Sequence, residues 1–579
     1  MKRLLSILTF LIFHISYFIV DAQPLQPAPK FVSKVQKAIL SLNTYNKKGD
    51  LMNSGQAFYV AKDGEAVADY SLFKGAYKAM VVDASGKQYD VESILGADDT
   101  YSIVRFHVNT KGNAFLTAVD RIQSIGSAVY ALNYSKDKIS VCPQGVIESF
   151  DSLNSKYAYY KLSLNMGDQY VGGPVFNDNG EVIGILQSAL GKGINLRSYV
   201  MDIRFRDELK ISAIQSRSSQ LALSNIYIPK GLPDTQEECL VYAYFKSHTA
   251  DNDEYMDIMN RFVATYPQCA EAYYRRSTSL TDLHRFDEAN ADMDKYLSLA
   301  TDKPVAHYNI AQSILNKLQF MPEPVYDKWT ADLALSHVNQ SLELESAMSR
   351  EESPSNIEKG KVLKAQILLF KKEYDEALSI YDELIAANPK NPTYLYATSI
   401  VKQERGDSLT DVIADLDSAI AMFGDPMPAE SASYVLRRGQ LYNLAGKPRN
   451  AVIDYNQYAY LLNSQVSDVF YYDRSQIELQ ARMFQQALDD INSAINLAPR
   501  NPLYHVEKAA MCLRFNMIDD CITSCNTALG LNADLPDAYR IRGYAEIQQN
   551  NLAAAKSSLQ KAIDMGDEGA AELMKTYIK

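Results

Sequence analysis

The sequence predicts two parts of different class: an all-β barrel or sandwich first, then an all-α solenoid of helical hairpins. Three observations predict this. Short runs of alternating apolar and polar residues fill the stretch from about 31 to 206. From residue 236 the period becomes helical, and from there the chain repeats itself. At 579 residues the chain is also too long for one hydrophobic core, so more than one domain is expected.

In chain order, Lys2 and Arg3 precede an apolar run from Leu4 to Val20, closed by Asp21-Ala22-Gln23. A basic start, an apolar middle and a small residue at the end predict a secretory signal peptide over residues 1–22, hence an exported protein in the periplasm or on its face of the envelope. The run approaches spanning length, which makes an uncleaved anchor the alternative. No Cys follows it to carry a lipid, and no other stretch is long and apolar enough to span a bilayer.

Strands are expected at Ala57–Val60, Val91–Leu95, Ile103–Val108, Ala128–Leu132 and Glu181–Ile185, with turns at Lys62-Asp63-Gly64 and Asn177–Gly180. Gly191-Lys192-Gly193 is too short for a phosphate loop and reads as a hairpin turn. Many short strands with regular turns predict a barrel or sandwich over residues 29–206. Residues 207–235, ending in Pro229-Lys230-Gly231-Leu232-Pro233, read as a connector.

In the helical part, residues 236–579, one small or apolar residue of each second helix aligns: Met256, Ala289, Ala334, Ala377, Val412, Ala451, Ala487, Cys521 and Ala555, spaced 33 to 45 apart. First helices place Arg276, Arg438, Arg474 and Arg542 beside a small residue, a series expected to brace neighbouring helices. This pattern resembles the tetratricopeptide repeat, a helix–turn–helix unit of about 34 residues, present here in about eight or nine copies. Longer spacings mark insertions near Met321–Trp329, Ala347–Asn356 and Gly424–Ser431.

Three blocks of the β part carry a second resemblance: Ser54 to Val60 running on to Ser71-Leu72-Phe73-Lys74-Gly75-Ala76, Gly96 to Val108, and Gly167 to Phe176 running on to Ile185. They resemble the trypsin-like peptidases of the periplasmic heat-shock protease type, which implies a double β-barrel. Where that family has its catalytic His, Asp and Ser, this chain has Ser71, Ser102 and Val171. Gln169 replaces the Gly whose backbone lines the family's oxyanion hole.

The residues themselves point the same way. Acyl transfer by a hydroxyl needs a nucleophile, a base within hydrogen-bond reach and a group that holds the base. Val171 has no hydroxyl, and His107 is the one His between Gln23 and Lys230, on an expected strand. Ser71 with Lys74, or Cys142 with His107, could form replacement dyads, but neither shows a third residue to orient the base. No catalytic residue is therefore assigned.

A net charge of −12 with no cluster of Lys and Arg disfavours nucleic acid. No His pair at helical separation suggests a metal, and no cofactor is expected. Six Cys are too few for a disulfide scaffold, although Cys239 with Cys269, and Cys512 with Cys521 or Cys525, could pair; buried free thiols are the alternative.

The leading expectation is an exported adaptor whose solenoid holds protein or peptide partners, with Tyr274, Gln366, Tyr472 and Arg540 as candidate groove residues. The repeat family's clamp of two Asn with Lys is not evident. The barrel either pairs with an extended chain or acts as a spacer. The rival readings are a serine-type endopeptidase with non-standard residues and a holdase chaperone. The 39 Tyr and this pairing of parts resemble a Bacteroidetes-type envelope protein, so envelope proteins are the expected partners.

Overall fold

A computed structural model describes residues 26–164, 166–187 and 198–578. Residues 1–22, read above as a signal peptide, and Gly191-Lys192-Gly193, read as a turn, lie outside the described residues. The chain divides into two compact units, Met1–Ala300 and Thr301–Lys579.

The first unit opens with two closed six-stranded barrels. The first holds β1 (Ile39–Tyr45), β2 (Leu51–Tyr59), β3 (Glu65–Asp69), β4 (Lys78–Val82), β5 (Gln88–Asp98) and β6 (Ile103–Val108). The second holds β7 (Ala128–Ala131), β8 (Gln144–Leu153), β9 (Tyr157–Leu162), β10 (Pro174–Phe176), β11 (Val182–Leu186) and β12 (Tyr199–Asp202). Around the first barrel the order is β1-β2-β3-β6-β5-β4, and around the second β7-β8-β9-β12-β11-β10, the same path taken twice. Closure leaves no free sheet edge in either barrel. The sandwich alternative is therefore replaced by two barrels.

Alternation explains the packing. In β1, Leu40, Leu42 and Thr44 point inward while Ser41, Asn43 and Tyr45 do not. The buried Thr44 hydroxyl donates to Leu72 O at 2.8 Å, which removes the cost of an unpaired polar group. Phe58, Phe73 and Phe106 fill the same core, each contributing about 1.5–3 kcal/mol by burial. Gly64 and Gly180, at φ +90° and +78°, close the two turns expected from the sequence.

The connector is not a free linker. It contains a helix, Arg217–Ser224, and Leu209, Ile211, Ala222, Ile226 and Ile228 are buried in the first barrel's core. Lys230 pairs with Ile94 of β5 as a parallel bridge. A connector rich in Ile and Leu gains more by burying them than by staying solvated.

From Gln236–Lys246 to Glu568–Tyr577 every regular element among the described residues is a helix. Consecutive helices pair as hairpins, for example Ala432–Leu444 with Pro448–Leu461 and Asp468–Gln480 with Phe484–Leu497. His284, Lys372, Arg482, Asn516 and Asn550 each turn the chain between paired helices in the left-handed region. Ala289, Ala377, Ala451, Ala487, Cys521 and Ala555 are all buried, as their spacing predicts. A Cβ on Gly543 would meet Leu559 Cγ at 2.7 Å, so the close approach of that hairpin requires glycine.

The arginine series follows one rule. Arg276, Arg438 and Arg474 each bind both oxygens of the Asp 16 residues later on the paired second helix: Asp292, Asp454 and Asp490. Arg542 finds Ser558 at the same offset, 3.1 Å away. Each guanidinium also reaches the preceding second helix, at Asn260, Asp417, Asn456 and Asn526 respectively. One side chain thus ties three helices, and the bidentate geometry fixes their registry.

Candidate functional site

The positions aligned with a catalytic triad do converge. Asp69 closes β3 and is fully buried. Its Oδ1 accepts from Ser71 N at 2.8 Å, from Ser71 Oγ, and from Ser102 Oγ at 3.0 Å. The first bond caps the short helix Tyr70–Leu72, which is why Ser71 turns back on Asp69. Ser102 stands at φ +46° in the turn that begins β6, and its carbonyl accepts from Tyr70 N at 3.2 Å. The two serines share one carboxylate oxygen.

The third position arrives from the second barrel. Val171 is 7% exposed, and its carbonyl accepts from Gln56 N at 3.0 Å. A Cβ on Gly172 (φ +78°) would lie 2.2 Å from Gln56 O and 3.3 Å from Asp69 N, so only glycine admits this seam between barrels. Gln56 completes it: its amide donates to Gln169 O and accepts from Tyr134 N at 2.8 Å.

The loop's donors face inward. Tyr170 N donates to Gly167 O, Val171 N to Asp168 O, Gly172 N to Leu186 O and Gly173 N to Tyr170 O, all within 3.1 Å. Gln169 is inside this turn, at the position where the resemblance implies a Gly.

His107 stands elsewhere. It pairs with Glu65 on β3, whereas Asp69 pairs with Ile103, so the imidazole is on the order of 13 Å further along the strand. Its Nδ1 is 2.9 Å from Glu92 Oε2 and its Nε2 2.7 Å from Asp63 O. Neither replacement dyad is assembled. Lys74 Nζ lies 4.0 Å from Asp99, and Cys142 is buried on a two-residue strand, Val141–Cys142, paired with Gln26–Pro27.

Asp69 and Gln56 were not singled out from the sequence. The signal for Asp69 was available: one carboxylate ending the apolar run Ala66-Val67-Ala68, directly before a Ser two residues on, is an N-cap pattern. Gln56 carries no such mark.

The groove residues separate. Gln366 lines a cavity of about 470 Å³ in the second unit, and Tyr274 one of about 390 Å³ in the first. Tyr472 stacks on Tyr504, centroids 5.4 Å apart. Arg540 is held by Asp537 and, at 2.9 Å, by Asp567, so it braces the last helices rather than facing a ligand freely.

The disulfides held open for Cys239 with Cys269, and for Cys512 with Cys521 or Cys525, are not formed: all six thiols are free and buried. Cys239 and Cys269 lie in one apolar cluster, and the other three in another, where burial pushes the Cys239 thiol up to about 12 and that of Cys512 to about 11. Among the described residues, no group of three or more His, Cys, Asp or Glu side chains is placed to hold a metal ion, and no helix is long and apolar enough to cross a membrane.

Twin barrels meeting at this seam, followed by arginine-braced hairpins, define a trypsin-like fold joined to a helical repeat. Residues 55–185 match the family model described as Trypsin-like peptidase domain, and residues 359–391 that of the Tetratricopeptide repeat. The chain carries both. Among curated proteins it is similar to the DnaJ homolog subfamily C member 7 homolog of Dictyostelium discoideum, 22% identical over 244 residues, covering 41% of this chain and 39% of that protein. It is also similar to Hsc70-interacting protein 1 of Drosophila melanogaster, 32% identical over 93 residues, covering 16% of this chain and 25% of that one. The matches thus span well under half the length of these relatives.

Proposed function

We propose that this is an exported adaptor: the solenoid binds partner proteins of the cell envelope, and the trypsin-like domain serves without peptidase activity. The observation that carries the second half is the seam. A valine occupies the nucleophile position, its N–H is bonded to Asp168 O, and the base position holds a serine bound to Asp69. The barrel's sole imidazole is held by Glu92 and Asp63. Without a nucleophile, a base or an outward pair of donors, no acyl-enzyme forms.

The solenoid's role follows from architecture. Stacked hairpins present successive first helices along one face, the arrangement by which extended segments are held. Two of the relatives are named for Hsc70 or for the DnaJ class, which supports protein partners for the shared repeats here.

The test is capture by crosslinking in cells, with the whole chain and with a chain lacking residues 236–579. Loss of the captured proteins on deletion supports the adaptor; unchanged recovery defeats it. A purified chain that cleaves an unfolded substrate, or is labelled by a hydroxyl-directed acylating probe, would overturn the inactive reading.

A further inference from the structure

Three charged side chains share one register on successive first helices of the second unit. Arg437 on Ala432–Leu444, Asp473 on Asp468–Gln480 and Glu507 on Pro502–Arg514 each stand two positions before a buried small residue, Gly439, Ser475 or Ala509. Equal register on stacked helices places them on one face. That face turns toward the preceding first helix. Arg437 Nε donates to Ser399 Oγ at 3.1 Å and its Nη2 to Gln403 Oε1 at 2.9 Å, both on Pro392–Arg405.

Arg437 differs from its neighbour. Arg438 is bidentate on Asp454, whereas among the described residues no carboxylate comes within ion-pair distance of Arg437; Glu404 acts on it from further away. Its acceptors, Ser399 and Gln403, are neutral, its guanidinium lies over the Tyr396 ring at 5.5 Å, and burial pulls its pKa below the ordinary value. A half-buried guanidinium without a counter-charge is a recognition element for a carboxylate. Among the described residues neither Asp473 nor Glu507 forms an ion pair, with Arg437 or with any other cation.

Tyr396 is also a wall of the cavity of about 470 Å³ that Gln366 lines, whose apolar side is built by Phe320, Val362, Leu369 and Ile400. No charged side chain lines it among the described residues. An uncharged pocket, one cation and then two carboxylates therefore follow each other along the repeat.

Resting on the reading of the solenoid as a protein-binding surface, we propose that this face holds an extended partner segment with an apolar residue in the Gln366 cavity, an acidic side chain on Arg437 and a basic side chain at Asp473 and Glu507. Packed helices stand about 8–10 Å apart and an extended chain advances about 3.3 Å per residue, so the acidic and basic residues fall about three positions apart. The acid is a side chain within the segment rather than a chain end, because Asp473 and Glu507 would repel a terminal carboxylate placed just before them.

The test is fluorescence anisotropy on the full chain. The probe is a labelled peptide of about twelve residues carrying Leu, Glu and Lys at three-residue spacing. Arg437→Gln, or Glu replaced by Gln in the peptide, is expected to weaken binding about tenfold, with little further loss when both are combined. Arg437→Glu is expected to reverse the preference in favour of a Lys-for-Glu peptide. Equal binding of the Glu and Gln peptides by the unaltered protein, or of a scrambled peptide, overturns the proposal while leaving the protein-binding reading intact. Absence of binding to every peptide also overturns the proposal, while the protein-binding reading stands or falls by the crosslinking of the chain lacking residues 236–579. If Arg437→Gln melts early, the comparison of peptides on the unaltered protein decides.

Discussion

Ser102 Oγ donates to Asp69 Oδ1 at 3.0 Å, the same oxygen that Ser71 binds through both its N–H and its hydroxyl. The residues standing where a triad would have its acid and base are thus held together by a third, buried carboxylate. Three donors converge on one acceptor inside the seam.

Removing that acceptor should be costly. Asp69→Ala leaves the donors of Ser71 and Ser102 unpaired in a buried place, an expected loss of about 2–4 kcal/mol. Asp69→Asn, which keeps an acceptor, should lose less. Thermal unfolding followed by circular dichroism ranks the two, and an Asp69→Ala protein as stable as the parent would contradict this role.

Restoring the hydroxyl alone should restore nothing. Val171→Ser places an alcohol at the seam, with the one imidazole of the barrels held by Glu92 and Asp63 and its own N–H still bonded to Asp168 O. Burst-phase acylation by an activated ester is expected to match the parent within about twofold. A clear burst would show that the seam retains a base.

The arginine braces should not be equivalent. Arg474→Ala strands Asp490 as a buried charge and is expected to cost about 3–5 kcal/mol. Arg542→Ala leaves Ser558, whose hydroxyl still donates to Glu546, and is expected to cost about 1–2 kcal/mol. Chemical denaturation of the two variants compares them directly.

Glu478 supplies a pH dependence of one sign. It is buried, its Oε2 has no hydrogen-bond partner, and burial first, then the Asp490 charge, raise its pKa to about 8. A raised carboxyl stabilises the fold fully below its unfolded value of 4.5, and that contribution is lost as pH climbs toward 8. Glu478→Gln should therefore melt higher than the parent at pH 8 and show no such gain at pH 4.

His337 supplies the opposite sign. Its Nδ1 lies 2.8 Å from His307 Nδ1, so one ring donates and the other accepts. Burial first, then His307, lower its pKa from 6.5 to about 4. The unfolded chain takes up a proton before the folded one, so stability falls as pH drops from 6.5 toward 4. His337→Gln should flatten that part of the stability profile.

Much of this molecule was legible as a string of residues because its signals are local. A strand period of two gave away Ile103–Val108, and a small residue returning about every 34 positions gave away the hairpins, since backbone geometry imposes both periods on the chain itself. That position 171 carries no hydroxyl was equally plain, because it is a valine in any fold. Contacts between distant positions were not legible. That Asp69 would gather Ser71 and Ser102, that residues 207–235 would bury Ile226 and Ile228 in the first barrel, and that Arg540 would be taken by Asp567 depends on which side chains the fold brings within a few ångströms. The free state of the six thiols belongs with these. Sequence assigned each residue its chemistry; folding alone chose its partners, because hydrogen bonds and ion pairs act over distances that chain separation does not report.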